Sequence, residues 1–224
     1  MSSRNKTSKP AKAEPRQAPR LYLVTPRVED ATAFAADLAV ALAAGDVAAV
    51  LLRLAPADEH TQINRVRALG VIAQAKDVAL LLDGNVDLVA RSSADGAHVT
   101  GLAKFTEAVV ELKPAWIAGA GGMTSRHDAM TAAELGADYI MFGEPEDDGQ
   151  RPSFESIEQR VAWWSEVFEA PCVAYAAASS EVAALVKAGA DFIALGDWIW
   201  RDSAAVAATI AEAAQFMTVP ETAA

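Results

Sequence analysis

Arg53 closes the apolar run 47–54, a place where an unpaired cation would be costly to bury. A guanidinium so placed either grips a phosphate or carboxylate or forms an internal ion pair, for which Asp83 and Asp197 are the candidates. Further polar groups fall at the ends of other apolar runs: Thr25, Asp83, Asn85, His98, Thr100, Glu144, Tyr175 and Asp197. Asp83 offers a carboxylate to Mg²⁺, or caps the helix expected after it. His98 is a candidate proton carrier, or a core histidine satisfied by neighbouring backbone. Glu144, Glu146, Asp147 and Asp148 form an acidic loop that reads as a solvated face. Trp163, Trp164, Trp198 and Trp200 read as packing residues rather than a substrate cage, and His60 and His127 lie in polar surroundings.

These side chains act together only if the elements that carry them converge. The stretch Gly136-Ala137-Asp138-Tyr139-Ile140-Met141-Phe142-Gly143 reads as a helix exit, a buried strand and a loop. The same phrase returns at Gly189-Ala190-Asp191-Phe192-Ile193-Ala194-Leu195-Gly196. Strands are expected at 21–25, 47–54, 78–83, 96–100, 116–120, 139–142, 172–176 and 192–195. Helices alternate with them at 30–44, 64–74, 86–91, 105–112, 125–135, 153–168, 179–187 and 203–217. Strict alternation of this kind implies parallel strands with helical crossovers. Eight units in one chain of 224 residues predict a single-domain α/β fold, the (β/α)8 TIM barrel. A doubly wound open sheet is the competitor, and no Gly-x-Gly-x-x-Gly supports a dinucleotide fold. In a barrel the chemistry belongs at the C-terminal ends of the strands.

Composition narrows the classes. Hydrophobic residues make up 52% of the chain, enough for a sizeable core. The single cysteine, Cys172, excludes a disulfide framework and favours a cytoplasmic setting. Residues 1–20 carry six cations against Glu14, so the net charge of −11 hides a body that is more acidic still. That body disfavours nucleic-acid binding. Residues 1–20 read as a disordered basic tail with no secretory leader, residues 21–218 as the barrel, and residues 219–224 as a C-terminal tail. No membrane helix is expected, and homo-oligomerisation is left open.

Leu21-Tyr22-Leu23-Val24-Thr25, Val50-Leu51-Leu52-Arg53, the run 81–90, Ala94-Asp95-Gly96-Ala97-His98-Val99 and the two Gly-Ala-Asp segments occur in one order. In that order the chain resembles the thiamine-phosphate synthase and thiazole tautomerase family. The resemblance implies a TIM barrel and a transferase of thiamine biosynthesis. That enzyme joins hydroxymethylpyrimidine diphosphate to a thiazole phosphate, releases pyrophosphate and uses Mg²⁺ as cofactor. The implied partner is a small phosphorylated heterocycle. The implied substrate-binding positions are Arg53, Asp83, Asn85, His98, Gly121, Gly143, Ala177 and Gly196, with Asp83 the metal candidate and no catalytic residue assigned.

Several positions depart from the family pattern. Leu51 and Ala55 replace a Gln and a Lys, Gly84 and Ala103 replace metal carboxylates, and Ala176-Ala177-Ala178 replaces paired glycines. The Lys after the sixth strand is missing, and Asp197 adds negative charge beside the phosphate end. These departures predict weak or lost synthase turnover. The alternative is a non-catalytic or repurposed barrel that binds a small phosphorylated or heterocyclic ligand.

Overall fold

The computed structural model describes residues 17–146 and 148–217. The expectations for the basic tail and the C-terminal tail therefore lie largely outside the described residues, as does Asp147. Eight strands alternate with eight helices: β1 (Arg20–Val28), α1 (Ala31–Ala43), β2 (Val47–Leu54), α2 (Glu59–Gln74), β3 (Ala79–Asp83), α3 (Val86–Ser92), β4 (Gly96–Thr100) and α4 (Leu102–Leu112) form the first half. The second half is β5 (Ile117–Gly121), α5 (Arg126–Glu134), β6 (Tyr139–Phe142), α6 (Phe154–Val167), β7 (Cys172–Ala176), α7 (Ser179–Ala188), β8 (Phe192–Leu195) and α8 (Val206–Gln215). The strands pair in parallel in sequence order, and β1 meets β8, so the barrel closes. The TIM barrel stands and the open sheet is excluded.

The near-continuous apolar strands follow from burial on both faces. Leu21 and Leu23 of β1 pack outward under the helices, while Tyr22 and Val24 face the barrel interior. All three tyrosines of the chain, Tyr22, Tyr139 and Tyr175, belong to that interior layer. Space for them comes from small neighbours: a side chain on Gly119 would collide with the Tyr139 ring, and one on Gly196 with the Tyr175 hydroxyl.

The repeated Gly-Ala-Asp phrase has a mechanical reason. Gly136 (φ 104°) and Gly189 (φ 97°) take the left-handed turn that ends α5 and α7. The aspartate two residues later then ties its strand to the one before it. Asp138 accepts from Ala118 N at 2.7 Å, and Asp191 accepts from Cys172 N at 2.8 Å. Each aspartate also donates its own N–H to the carbonyl of that same residue. Asp95 makes the equivalent pair with Leu80. Three carboxylates thus satisfy backbone donors at the N-terminal rim, away from the mouth.

Differences from expectation concentrate at element ends. α2 starts at Glu59, five residues early, because Asp58 caps it through Thr61 N. α4 starts at Leu102, and α8 is shorter than 203–217 because a 3-10 turn, Asp197–Trp200, intervenes after β8. Ser179 and Ser180 do not cap α7; its N-cap is Ala178, with no side-chain bond. Asp30, Ser125 and Ser153 cap α1, α5 and α6 through their side chains. The tryptophans pack: Trp164 is fully buried, and the indole N–H groups of Trp198 and Trp200 donate to Ala176 O and Val24 O.

Candidate functional site

A cavity of about 930 Å³ opens at the C-terminal ends of the strands. Arg53, Asp83, His98, Thr100, Glu144 and Tyr175, each singled out from its place at a strand end, all line it. Arg53 points into the mouth, where its Nε lies 3.7 Å from Asp83 Oδ2 and its Nη1 3.8 Å from Asp197 Oδ2. Both ion pairs considered from sequence are therefore present, at lengths that leave donor capacity for an anion. Its backbone N–H donates to the buried Thr25 hydroxyl at 3.0 Å, which joins β1 to β2 just below the mouth.

Asp83 does not cap α3. The N-cap is Asn85, which makes no side-chain bond, and Gly84 (φ 77°) swings the chain between them. Asn85 does not line the cavity. The side chains form no cage that would hold Mg²⁺ without substrate phosphates, and Asp83 is the carboxylate that would reach it. Asp83 lies 3.7 Å from Arg53, and among the described residues no group of three or more His, Cys, Asp or Glu side chains converges on one point.

The floor holds a polar chain. Tyr22 and Tyr139 share a hydrogen bond of 2.8 Å, and Tyr139 Oη lies 3.1 Å from His98 Nδ1, its ring stacked on the imidazole. His98 is thus satisfied by a tyrosine rather than by backbone. Its buried Nε2 has no hydrogen-bond partner among the described residues. Burial lowers the His98 pKa to about 4 and raises both tyrosines above their ordinary range. The imidazole is therefore neutral at physiological pH.

Glu144 corrects the reading of its loop as a solvated face. Glu146 and Asp148 are exposed, but Glu144 is only half-exposed, and its carboxyl turns back to accept from the Gly122 N–H. Burial is the main cause that pushes its pKa up to about 7, with Asp83 adding to the rise and Arg151 opposing it. Gly121, the end of β5, makes this arrangement fit. A side chain there would start 2.6 Å from His98 Nε2 and closer still to Glu144 Oε1.

The remaining positions are occupied by internal contacts. Ala177 N donates to Glu181 at 2.8 Å, and Gly196 N to Ala176 O at 3.3 Å. Gly143 gives its carbonyl to Arg151, and the space over its Cα is filled by Ile157. Arg151 itself is held by both oxygens of Glu181 and by the Tyr175 carbonyl. Ala177, Gly143 and Gly196 do not line the cavity. His60 and His127 are exposed on α2 and α5.

Sequence reading missed Arg27, Tyr22 and Tyr139. β1 runs past Thr25, and after an irregularity Arg27 pairs with Arg53 in register, exposed on the cavity wall. The tyrosines carried a signal: each is the one hydroxyl-bearing aromatic in its otherwise apolar run, at an alternate position that faces inward.

The comparisons with known proteins agree with this fold. A family model described as Thiamine monophosphate synthase matches residues 21–199. The chain is 42% identical over 196 residues to the thiamine-phosphate synthase of Rhodospirillum centenum, covering 86% of this chain and 95% of that one. It is 36% identical to the thiamine-phosphate synthase of Hyphomonas neptunium, covering 88% and 93%. Among solved structures, thiamine phosphate pyrophosphorylase from Pyrococcus furiosus superposes with a TM-score of 0.72 at 21% identity, covering 88% of this chain and 95% of that chain. A 3-hexulose-6-phosphate synthase reaches 0.68 at 14%, covering 88% and 100%. Those two show the shared barrel, and the sequence matches carry the lineage: this chain belongs to the thiamine-phosphate synthase family.

Proposed function

We propose that this barrel performs its family's reaction, joining hydroxymethylpyrimidine diphosphate to a thiazole phosphate in the cytoplasm and releasing pyrophosphate. The observation that carries the reading is the position of Arg53 at the cavity mouth, with the neutral His98 and Glu144 on the floor of the same cavity. Arg53 holds the diphosphate, and Arg27 beside it adds charge at the rim. The polar floor receives a heterocycle. Arg53 serves two carboxylates already, so a bound diphosphate competes with Asp83 and Asp197 for it. Slow turnover and a weak hold on the diphosphate follow from that competition. Expression in a bacterium that lacks its own thiamine-phosphate synthase tests the reading. Growth without added thiamine is expected, and failure to grow with the protein folded and abundant would contradict it.

One arrangement favours a second reading, a repurposed barrel that binds a heterocycle without the synthase step. The amides of Ala177 and Gly196, which the family resemblance offers to phosphate, are bonded to Glu181 and Ala176. Binding of the heterocycles without product formation would favour that reading.

A further inference from the structure

Two N–H groups at the cavity floor converge on the Glu144 carboxyl. The Gly122 N–H donates to its Oε1, and His98 Nε2 stands beside the same oxygen over Gly121, where no side chain fits. The chain Tyr22–Tyr139–His98 decides which way the imidazole presents its proton. If Tyr22 donates to Tyr139 and Tyr139 to Nδ1, every hydroxyl proton is used and Nε2 carries the ring N–H. The reverse order strands the buried Tyr22 hydroxyl proton as well as the Nε2 lone pair. The first order leaves a buried Nε2–H with no hydrogen-bond partner among the described residues, and a donor of that kind is satisfied when an anion forms beside it. Burial pushes the pKa of the neighbouring carboxyl up to about 7, so both donors meet a full negative charge only once Glu144 has given up its proton. Oε1 is taken by Gly122, which leaves Oε2 as the oxygen that can carry this proton toward a ligand in the cavity that Glu144 lines.

We propose that Glu144 is the catalytic acid of the proposed reaction, handing its proton to the bridging oxygen of the diphosphate as the bond from that oxygen to the ring methylene breaks. The electron pair of the broken bond stays on the oxygen, and pyrophosphate leaves carrying the Glu144 proton. Positive charge is left on the methylene carbon. Glu144 is then an anchored carboxylate that offsets this charge, with the Gly122 and His98 N–H groups already in place to stabilise it. The lone pair of the thiazole nitrogen closes the new carbon–nitrogen bond, and solvent returns a proton to Glu144. Its placement supports the role. Glu144 shares the cavity with Arg53 and Asp83, and Asp83, 3.7 Å from Arg53, is near enough to add to the rise of its pKa. A neutral acid tolerates a diphosphate there, where a carboxylate would repel it. An acid that titrates near the working pH also transfers its proton most effectively. The groups that face it are His98, Tyr139, Tyr22, Asp83, Arg151 and, from α6, Arg160. Of the two cations, Arg151 is held by Glu181, and Arg160 gives its N–H groups to Met123 O and Thr124 O.

This rests on the proposed function, because it assigns a residue to one step of that reaction. The test is the pH profile of kcat and KM for thiamine phosphate formation by the full chain, from pH 5.5 to 9.0, in wild type, Glu144→Gln and Glu144→Asp. Wild-type kcat is expected to fall about tenfold per pH unit once the acid is ionised, above pH 7. Glu144→Gln still accepts from the Gly122 N–H and is neutral like the acid, so KM for the diphosphate should change little. It has no proton to give, so kcat at pH 6 should drop about a hundredfold and the falling limb should vanish. Glu144→Asp keeps an acid and should keep the limb, with kcat between the two. A Gln variant with wild-type kcat and the same limb overturns the role of Glu144 and leaves the proposed reaction standing. So does a Gln variant that loses melting temperature and KM but keeps the limb, which would make Glu144 a brace between β5 and β6. Wild type that forms no thiamine phosphate overturns the proposed function and this assignment with it.

Discussion

Arg53 and Asp197 face each other across the seam where the barrel closes, Nη1 to Oδ2 at 3.8 Å, one from β2 and the other from the turn after β8. The aspartate is more exposed than the arginine, at 53% against 24% of side-chain surface. It therefore tempers the cation without burying it, and a pair this open contributes at most about 1 kcal/mol.

Asp197→Asn should tighten pyrophosphate binding up to about fivefold, since the anion no longer competes with that carboxylate. Arg53→Ala should weaken it by about 1.5–3 kcal/mol, the scale of a charged hydrogen bond. Titration calorimetry at low salt reads both. Weaker binding in Asp197→Asn would mean that the carboxylate serves the ligand directly.

Glu144 and His98 oppose each other in the pH dependence of stability. The Glu144 pKa is raised from 4.5 to about 7, so its contribution is complete below about 4.5 and falls as pH rises to 7. The His98 pKa is lowered from 6.5 to about 4, so its contribution is complete above 6.5 and falls as pH drops to 4. The folded state holds the proton on the acid where the unfolded chain holds it on the histidine, so the two slopes largely cancel between pH 4.5 and 6.5. Glu144→Gln should give stability that rises with pH over that window, and His98→Asn stability that falls. Urea unfolding at half-unit pH steps measures this. Parallel profiles for the two variants would show that the pair does not titrate this way.

Tyr139→Phe should cost more than Tyr22→Phe. Removing the Tyr139 hydroxyl strips a partner from both the Tyr22 hydroxyl and His98 Nδ1, each buried, at about 1–3 kcal/mol. Removing the Tyr22 hydroxyl leaves the Tyr139–His98 bond intact. Equal melting temperatures for the two variants would contradict the chain. In the intact protein, imidazole ¹⁵N shifts should report the Nε2–H tautomer.

The architecture was legible because closure needs eight apolar strands in alternation, and periodicity with Gly-Ala-Asp punctuation displays them. Arg53, Asp83 and His98 were legible because polar groups that end buried strands must point somewhere, and in a barrel they converge on the mouth. Glu144 was misread because its neighbours Glu146 and Asp148 are exposed, and only the fold shows that Gly122 offers it a backbone donor. Arg27 was missed because the irregularity after Val24 extends β1 beyond its apolar run. The engagement of Ala177 N by Glu181 depends on a carboxylate one helical turn onward, which local patterning does not flag.

The most direct measurement is turnover by the purified full chain. Hydroxymethylpyrimidine diphosphate and thiazole phosphate are mixed with the protein in buffer containing millimolar Mg²⁺, and thiamine phosphate is followed by fluorescence after oxidation. The expected result is formation of thiamine phosphate above the protein-free background, saturating only at high diphosphate concentration and reduced at least about tenfold in kcat/KM by Arg53→Ala. No thiamine phosphate above background, or turnover that Arg53→Ala leaves unchanged, would contradict the synthase reading and its anion site at Arg53.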